Sequence, residues 1–267
     1  VMCKKFLSKF EQLFVAPLRL QHDPKFNKIC AKFNLGVKFF DDKFFVSIAS
    51  YNKLMLNLNF YNTFSSYDYI LIYQLDAIVF SSDLTFWLNK NYDYIGAPWL
   101  TGGNNPTFDA MGNGGLSLRK ISKFIEVLNS RQFYYSTSKF LSTSLRIGIP
   151  SVLMIRLFRT LSQLKIHFNY LRLFLFLFNK NEDYFWAFVA KYFVPEFSLP
   201  TPQEALKFAF EVDPKRCFEE NQYDLPFGCH AWQKYDIGFW QKFDVVNLAL
   251  KEVKKYYEPI PINARPT

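Results

Sequence analysis

The apolar positions along the chain follow two different spacings. From Ile48 to Leu58, in "SIASYNKLMLNLNF", they recur every three or four residues, which predicts an amphipathic helix. The stretch "YILIY" (Tyr69–Tyr73) is instead continuously apolar and β-rich, which predicts a central strand covered on both faces. Further strands are predicted at "EQLFVAPL", stopped by Pro17, and around Val37–Phe40.

Strands and helices continue to alternate after this point. "YDYIGAPW" predicts a strand that ends at Gly96 and Pro98, and "LSLRKISKFIEVLNS" passes from a strand into a helix. Later helices are predicted near Glu182 and at the proline that starts "PQEALKF". Because this alternation favours a layered arrangement, we predict an α/β fold with a central, mostly parallel sheet flanked by helices. No repeat or long linker divides the chain, so one domain over 1–267 is predicted.

Residues 131–180 differ from the rest of the chain in charge. The segment from Val127 to Asn181 contains eight Lys or Arg residues and no Asp or Glu. Its stretch "SVLMIRLFRTLSQLKIHFNYLRLFLFLF" places basic residues in an apolar background, as in helices that lie on anionic membrane surfaces. A helix packed on the core with its arginines in solvent explains the same pattern. We therefore predict a basic helical insertion, with peripheral membrane contact as one of two interpretations.

Composition and charge narrow the class of protein. Half of the 267 residues are hydrophobic and a fifth are aromatic, which is typical of a packed globular protein. The formal net charge of +9 favours an anionic partner, although no nucleic-acid-binding module is recognisable and we expect no nucleic acid. The four cysteines lack metal-site spacing, and no apolar run is long enough to span a membrane. A cytoplasmic protein is expected, with the inner face of the membrane as an alternative peripheral location.

One candidate site follows the predicted strand Tyr69–Tyr73. Ligands of parallel α/β sheets bind beyond the carboxyl ends of strands, which is where Asp76 lies, and Gln74 points to the same side of an extended segment. The two side chains suit Mg²⁺ or Mn²⁺, while an Asp that caps a turn explains the position as well. Farther along, "GNGG" (Gly112–Gly115) lets the backbone approach a ligand, with Asn113 as a hydrogen-bonding side chain, or forms an ordinary tight turn.

Two more stretches carry candidate side chains. Glu182 and Asp183 begin a predicted helix, where carboxylates stabilise the helix dipole and where one of them can also serve as a general base. His230, in "PFGCHAW", lies in a predicted loop beside Trp232, which suits a metal ligand or a donor to phosphate. A purely structural role for each of these residues stays open at this point.

The order of these motifs is more specific than any one of them. An acidic strand end followed by "YDYIGAPW", "GNGGLSLR", "NEDYFW" and "PFGCHAW" resembles the GT-A glycosyltransferase superfamily. More closely, the chain looks like a bacterial GT-A-like family known only as a domain of unknown function, often encountered with surface-polysaccharide genes. The resemblance covers roughly Phe39 to Trp240. It implies a hexosyltransferase-like enzyme that uses Mn²⁺ or Mg²⁺ and moves a sugar from a nucleotide-diphosphate sugar to a hydroxyl of a glycan or lipid-linked acceptor.

The resemblance also implies roles for individual residues. Asp76, at the place of the family's metal-binding Asp-x-Asp, and His230 would bind the cation, and Asp183 or Glu182 would be the catalytic base. The implied substrate-binding residues are Lys53, Gln74, Asn113, Gly114, Gly115 and Trp232.

Two departures from the family pattern affect these expectations. Gln74 stands where the first Asp of the metal motif is expected, which implies weaker or altered metal use. "EQLFVAPL" corresponds to the family's second strand, so the domain is expected to lack the first strand, which helps to hold the nucleotide base. A second function therefore stays open, that of a catalytically inactive GT-A-like protein that binds a glycan or serves in an assembly.

Overall fold

The computed structural model describes residues 2–101, 107–136, 140, 149–166 and 169–254. Helices and short strands alternate within these ranges, so the prediction of a mixed α/β chain is confirmed. The strands are β1 (Leu13–Pro17), β2 (Gly36–Phe40), β3 (Tyr69–Tyr73), β4 (Ile78–Val79), β5 (Tyr94–Gly96), β6 (Pro98–Thr101), β7 (Thr107–Met111), β8 (Leu116–Lys120), β9 (Ala209–Phe210) and β10 (Gly228–Cys229).

The α-helices are α1 (Met2–Phe6), α2 (Pro24–Lys32), α3 (Ile48–Met55), α4 (Leu58–Thr63), α5 (Leu84–Asn89), α6 (Ile121–Asn129), α7 (Ile149–Gln163), α8 (Tyr170–Leu177), α9 (Glu182–Tyr184), α10 (Pro202–Phe208), α11 (Pro214–Glu220), α12 (Ile237–Trp240) and α13 (Asp244–Lys254). A π-helical turn, Phe185–Val189, directly follows α9. The predicted helix starts at Glu182 and Pro202 are confirmed.

The helix predicted from Ile48 to Leu58 is present but divided. It begins where the side chains of Ser47 and Ser50 cap each other's backbone N–H groups. It stops at the end of α3, because the Asn57 side chain accepts a hydrogen bond of 2.8 Å from the Asn59 N–H and so caps α4. The three-four spacing of apolar residues continues across this break, which is why the sequence reads as one helix.

The main sheet has the strand order β3–β8–β5. β8 is antiparallel to both neighbours, with Tyr73 opposite Leu116 and Gly96 opposite Ser117. β3 and β5 therefore run in the same direction, as two strands joined through a helix do, but β8 lies between them in reverse. Four of the six described strand pairs are antiparallel, two of them because β8 lies between β3 and β5. The predicted mostly parallel central sheet is therefore not confirmed.

The predicted central position of the "YILIY" strand is wrong. β3 lies at the edge of its sheet among the described strand pairs, and all five of its side chains are partly exposed. β8 is the central strand, and its first four residues are buried. A continuous apolar run therefore did not identify the central strand here. The central strand, β8, follows β3 by more than forty residues, so the sequence around β3 carries no signal of it.

A second sheet joins the C-terminal part of the chain to the main sheet. In the order β4–β10–β9, β10 is antiparallel to β4 and parallel to β9, with Cys229 opposite both Ile78 and Phe210. β4 follows β3 after only four residues, so the chain that leaves β9 and β10 comes close to the turn at residues 74–77. The remaining described strands form the parallel pair β1–β2 and the antiparallel pair β6–β7.

The basic region packs against the main hydrophobic core. Ile155 and Phe158 of α7 and Phe174 of α8 are fully buried in that core. Within the predicted insertion at 131–180, α7 and α8 are helical, whereas the described residues 131–136 and 178–180 are not. Residues 137–139, 141–148 and 167–168 lie outside the described ranges. Among the residues that the structure describes, no helix is both long and apolar enough to cross a membrane.

Candidate functional site

Most of the predicted site residues lie at one edge of the main sheet. β3 and β5 end at this edge and β8 begins there, which places Gln74 beside Gly115. The Gln74 N–H donates a hydrogen bond of 2.9 Å to the Gly115 carbonyl, and the Ala77 N–H donates one of 2.9 Å to the Gln74 carbonyl. The turn closed by these bonds presents the Asp76 carboxylate, whose side chain is 49% exposed.

The imidazole of His230 contacts three other polar side chains and joins them into one group. Its Nε2 lies 3.0 Å from Gln74 Oε1 and 3.4 Å from Asp76 Oδ1, and its Nδ1 lies 2.9 Å from Glu211 Oε1. Glu211 and His230 directly follow β9 and β10, and they meet because those strands are parallel with their last residues paired. We call Gln74, Asp76, Glu211 and His230 the His230 cluster.

The His230 cluster has the chemistry of a divalent-cation site. When His230 donates its Nδ1 proton to Glu211, Nε2 carries a lone pair directed toward Gln74 and Asp76. A carboxylate on the far ring nitrogen is the common partner of a metal-ligating histidine. The described residues contain no group of three or more His, Cys, Asp or Glu side chains that could hold a metal, so a third ligand would be the Gln74 amide oxygen. This mixed nitrogen and oxygen set suits Mn²⁺ better than Mg²⁺.

A buried ion pair fixes the start of α9. Arg119 Nη2 lies 2.7 Å from Glu182 Oε1 and Nη1 lies 3.1 Å from Oε2, and the two side chains are 0% and 3% exposed. Arg119 also donates hydrogen bonds to the Tyr61 hydroxyl (2.9 Å) and to Ser117 Oγ (3.0 Å). Both carboxylate oxygens of Glu182 are thus engaged by Arg119, whereas Asp183 takes no part in this ion pair.

Asp183 is buried beside this ion pair. Its Oδ1 accepts a hydrogen bond of 2.9 Å from the Tyr184 N–H. Burial, and after it the neighbouring charge of Glu182, raises the pKa of Asp183 to about 7, with a further contribution from Glu211 of the His230 cluster. A carboxyl group that titrates near neutrality has the property that a general base needs.

The Tyr51 hydroxyl lies between the ion pair and the His230 cluster. Burial, and then the charge of Glu182, raises the pKa of Tyr51 to about 12. The hydroxyl faces the Gln74 side chain but has no well-formed hydrogen bond to any described residue. A buried polar group without a partner costs about 1–3 kcal/mol. A ligand oxygen at this position would therefore gain a hydrogen bond from Tyr51.

The glycines of the "GNGG" loop make room for side chains of the protein itself. A Cβ atom on Gly115 would lie 2.1 Å from His230 Nε2, and one on Gly114 would lie 2.3 Å from Glu182 Oε1. The buried Asn113 side chain accepts a hydrogen bond of 2.9 Å from the Gly115 N–H. These contacts are those of a tight turn, and they explain the three residues without the predicted contact to a substrate.

Lys53 stands apart from the other predicted residues. It is exposed on α3, and no described hydrogen bond or ion pair joins it to the His230 cluster. Its neighbour Asn52 does reach the site, where its side chain accepts a hydrogen bond of 3.3 Å from the Glu182 N–H. α3 is thus anchored at the site, and Lys53 lies one residue away from the anchor.

Trp232 is 6% exposed and packs in a second buried cluster, so little of its ring is open to solvent. It does form one wall of a cavity of about 430 Å³. The aromatic walls of this cavity are Phe14, Phe33, Tyr73 and Trp232. Leu75 and Ala77, on either side of Asp76, also line it, so the cavity adjoins the His230 cluster.

A comparison with protein families identifies the chain. A family described as a protein of unknown function (DUF5672) matches residues 34–230, most of the chain. The chain belongs to this family. No significant match to a curated protein or to a solved structure was found.

The DUF5672 match ends at His230 and includes the whole His230 cluster, the Arg119–Glu182 pair and Asp183, while Trp232 lies outside it.

Three site residues of this DUF5672 chain were not predicted from the sequence. Glu211 follows a short apolar run, the same signal that identified Asp76. Arg119 is a charge inside a predicted strand, and a charge that becomes buried there needs a buried partner. No local signal marks Tyr51.

Proposed function

We propose that the chain is a glycosyltransferase with a GT-A-like fold, which moves a sugar from a nucleotide-diphosphate sugar to an acceptor hydroxyl. The observation that carries the proposal is the buried Asp183 carboxyl, whose pKa is raised to about 7 within electrostatic reach of Glu211 in the His230 cluster. The Asp183 carboxyl, which can accept a proton, and the His230 cluster, which would bind the divalent cation that neutralises a diphosphate, thus lie at one edge of the sheet.

Each of these groups meets a requirement of the reaction. The acceptor hydroxyl must lose a proton as it attacks the sugar, and Asp183 is partly ionised at neutral pH and can accept that proton. The departing nucleotide diphosphate gains negative charge, which a bound divalent cation would neutralise. Asp76, His230 and Gln74 are the residues that would hold the cation.

The surrounding residues orient these groups. Glu211 holds the His230 ring through Nδ1, which fixes the direction of Nε2. The Arg119–Glu182 pair anchors the first residue of α9 and thereby fixes the position of Asp183. Tyr51 supplies a buried hydroxyl that has no partner among the described residues and that can donate to a sugar or phosphate oxygen.

The adjoining cavity is assigned to the nucleotide base. Its aromatic walls offer faces on which a planar base can stack, and its rim at Leu75 and Ala77 flanks Asp76. In this assignment Trp232 contributes to donor binding as a wall of the cavity. Lys53 and the net charge of +9 contribute by attracting the anionic donor.

A donor-binding assay followed by an activity assay tests the proposal. Melting temperatures are measured with UDP-, GDP- and CDP-sugars, with Mn²⁺ and again with a chelator. We expect one donor to raise the melting temperature and the chelator to remove most of that rise. Asp76→Ala should abolish the rise, whereas Asp183→Asn should keep it and lose about a hundredfold or more in donor hydrolysis or transfer.

Asp68→Ala is the matched control, because it removes an exposed carboxylate near β3 and leaves the site intact. It should bind the donor and turn it over as the unchanged protein does. Flat melting curves with every donor and metal would overturn the proposal and favour the non-catalytic glycan-binding function.

A further inference from the structure

One face of α7 exposes a stripe of leucines. Leu153, Leu157 and Leu164 are 58%, 51% and 65% exposed. Their spacing of four and then seven residues places them along one side of the helix. Leu164 follows the last residue of α7, but its N–H still donates a 3.0 Å hydrogen bond to the Thr160 carbonyl, so it continues the same stripe.

The leucine stripe is not used to hold α7 in the fold. Ile155 and Phe158, on the opposite side of the helix, are fully buried in the main core. The Phe158 ring packs against that of Tyr170 at the start of α8, with the ring centroids 5.1 Å apart. The core contacts therefore explain one side of α7 and leave the leucine side without a structural role in the described chain.

The end of α8 repeats this arrangement. Phe176 is 83% exposed and Leu177 is 51% exposed, while Leu171 and Phe174 are buried. Six of the large apolar side chains that the described residues expose fall between residues 153 and 177, namely Leu153, Leu157, Leu164, Ile166, Phe176 and Leu177. Single exposed apolar residues are normal on a protein surface, but a concentration of this kind marks an interaction surface.

The charges on the same two helices have one sign. Arg156 is exposed and lies three residues after Leu153, at the border of the stripe. Lys165, Arg172 and Lys180 are exposed as well. Because residues 127–181 contain no Asp or Glu, no acidic side chain of this segment neutralises them. Exposed leucine and phenylalanine bordered by arginine and lysine is the composition of helices that lie in the interface of anionic bilayers.

We propose that the leucine stripe of α7 and the exposed end of α8 form a docking surface for an anionic lipid bilayer. The leucines and Phe176 would enter the boundary between head groups and acyl chains, and the basic side chains would contact anionic head groups. α8 leads through Lys180 and Asn181 to Asp183, and the rings of Phe178 and Phe185 on either side of that segment have centroids 6.0 Å apart. Docking would bring Asp183 close to a lipid-linked acceptor, a consequence that rests on the proposed function, whereas bilayer binding does not.

Vesicle co-sedimentation tests the surface. The protein is mixed with vesicles of phosphatidylcholine alone, or of phosphatidylcholine and phosphatidylglycerol in equal parts, and the bound fraction is measured at low and high salt. We expect binding to the anionic vesicles. Each basic residue at the surface contributes about fivefold to partitioning, so Arg156→Gln with Arg172→Gln should weaken it about 25-fold. Leu153→Ser with Leu157→Ser should weaken it about tenfold or more with the charge unchanged.

Lys25→Gln with Lys28→Gln is the control, since both lysines are exposed on α2 and the change removes the same charge elsewhere. It should alter binding less than about twofold, and the melting temperature of each variant confirms its fold. Equal weakening by the α2 control, unchanged binding of the leucine variant, or self-association that the leucine variant abolishes would each overturn the proposal. These assays contain no nucleotide sugar and the donor assay contains no vesicles, so one proposal can fail without the other.

Discussion

Replacing Asp183 by Asn removes a buried carboxyl whose titration makes the stability of the fold depend on pH. The pKa of Asp183 is raised from 3.8 to about 7 in the folded chain, chiefly by burial. Because the folded-state pKa is the higher one, the protonated carboxyl is the form that the fold favours. Its stabilising contribution is complete below about pH 3.8 and is lost as the pH rises through about 7.

The size of this effect follows from the difference between the two pKa values, about 3, at about 1.4 kcal/mol per pKa unit. The free energy of unfolding of the unchanged protein should therefore lose about 4 kcal/mol through Asp183 between about pH 4 and about pH 8. The Asp183→Asn variant has no carboxyl to titrate at this position, so its free energy of unfolding should not show this loss. The stability of the variant relative to the unchanged protein should rise by that amount over the same range.

Urea unfolding, followed by tryptophan fluorescence at several pH values across that range, measures the difference. Asp68→Asn is the control, because it makes the same amide-for-carboxylate change at an exposed position. A difference between Asp183→Asn and the unchanged protein that stays constant with pH would refute the assignment of a near-neutral pKa, and with it the role of Asp183 as a base.

Three further substitutions test other parts of the site. Glu182→Ala leaves Arg119 buried without its carboxylate and should lower the free energy of unfolding by about 3–5 kcal/mol in urea. Gly115→Ala places a Cβ atom 2.1 Å from the imidazole of the His230 cluster and should abolish the rise in melting temperature caused by the donor. Tyr51→Phe removes a buried hydroxyl that has no hydrogen-bond partner among the described residues, so the free energy of unfolding should rise by about 1–3 kcal/mol. Donor affinity measured by calorimetry should fall about fivefold.

Matched changes separate these effects from general destabilisation. Glu126→Ala breaks the exposed pair with Lys123 and should cost less than about 1 kcal/mol, so an equal loss from Glu182→Ala would contradict the buried-pair reasoning. Gly238→Ala places a Cβ atom 3.5 Å from its nearest neighbour and should leave donor binding unchanged. Donor binding by Gly115→Ala at full strength would show that His230 does not contribute to it.

The local signals in the sequence predicted the helices and strands better than their arrangement. The helix at Pro202 begins as predicted because its signals, the capping Thr201 and the proline itself, lie next to each other in the chain. The position of β8 between β3 and β5 has no such local signal, because it depends on pairing between strands that lie far apart in sequence. For the same reason the alternation of strands and helices suggested a mostly parallel central sheet, whereas both strand pairs of the main sheet are antiparallel.

The candidate site was predictable where a residue marks the end of a strand. Asp76 was identified in this way, whereas His230 was identified as a loop histidine beside Trp232, and the structure places the two side chains 3.4 Å apart. The partners of a buried charge were not predictable, since the pairing of Arg119 with Glu182 depends on the packing of α9 against β8. This pairing also distinguishes the two adjacent carboxylates, because it engages both oxygens of Glu182 and does not involve Asp183.

The contact between Gln74 and His230 joins residues that are 156 positions apart, whereas Arg119 and Glu182 are 63 positions apart. During synthesis, the ribosome releases both members of the ion pair, together with Asp183, well before β10 carries His230 into place. Asp183 is therefore already present in a nascent chain that still lacks the imidazole. The contacts of the His230 cluster can therefore form only after the C-terminal part of the chain has been released and β10 has paired with β4 and β9.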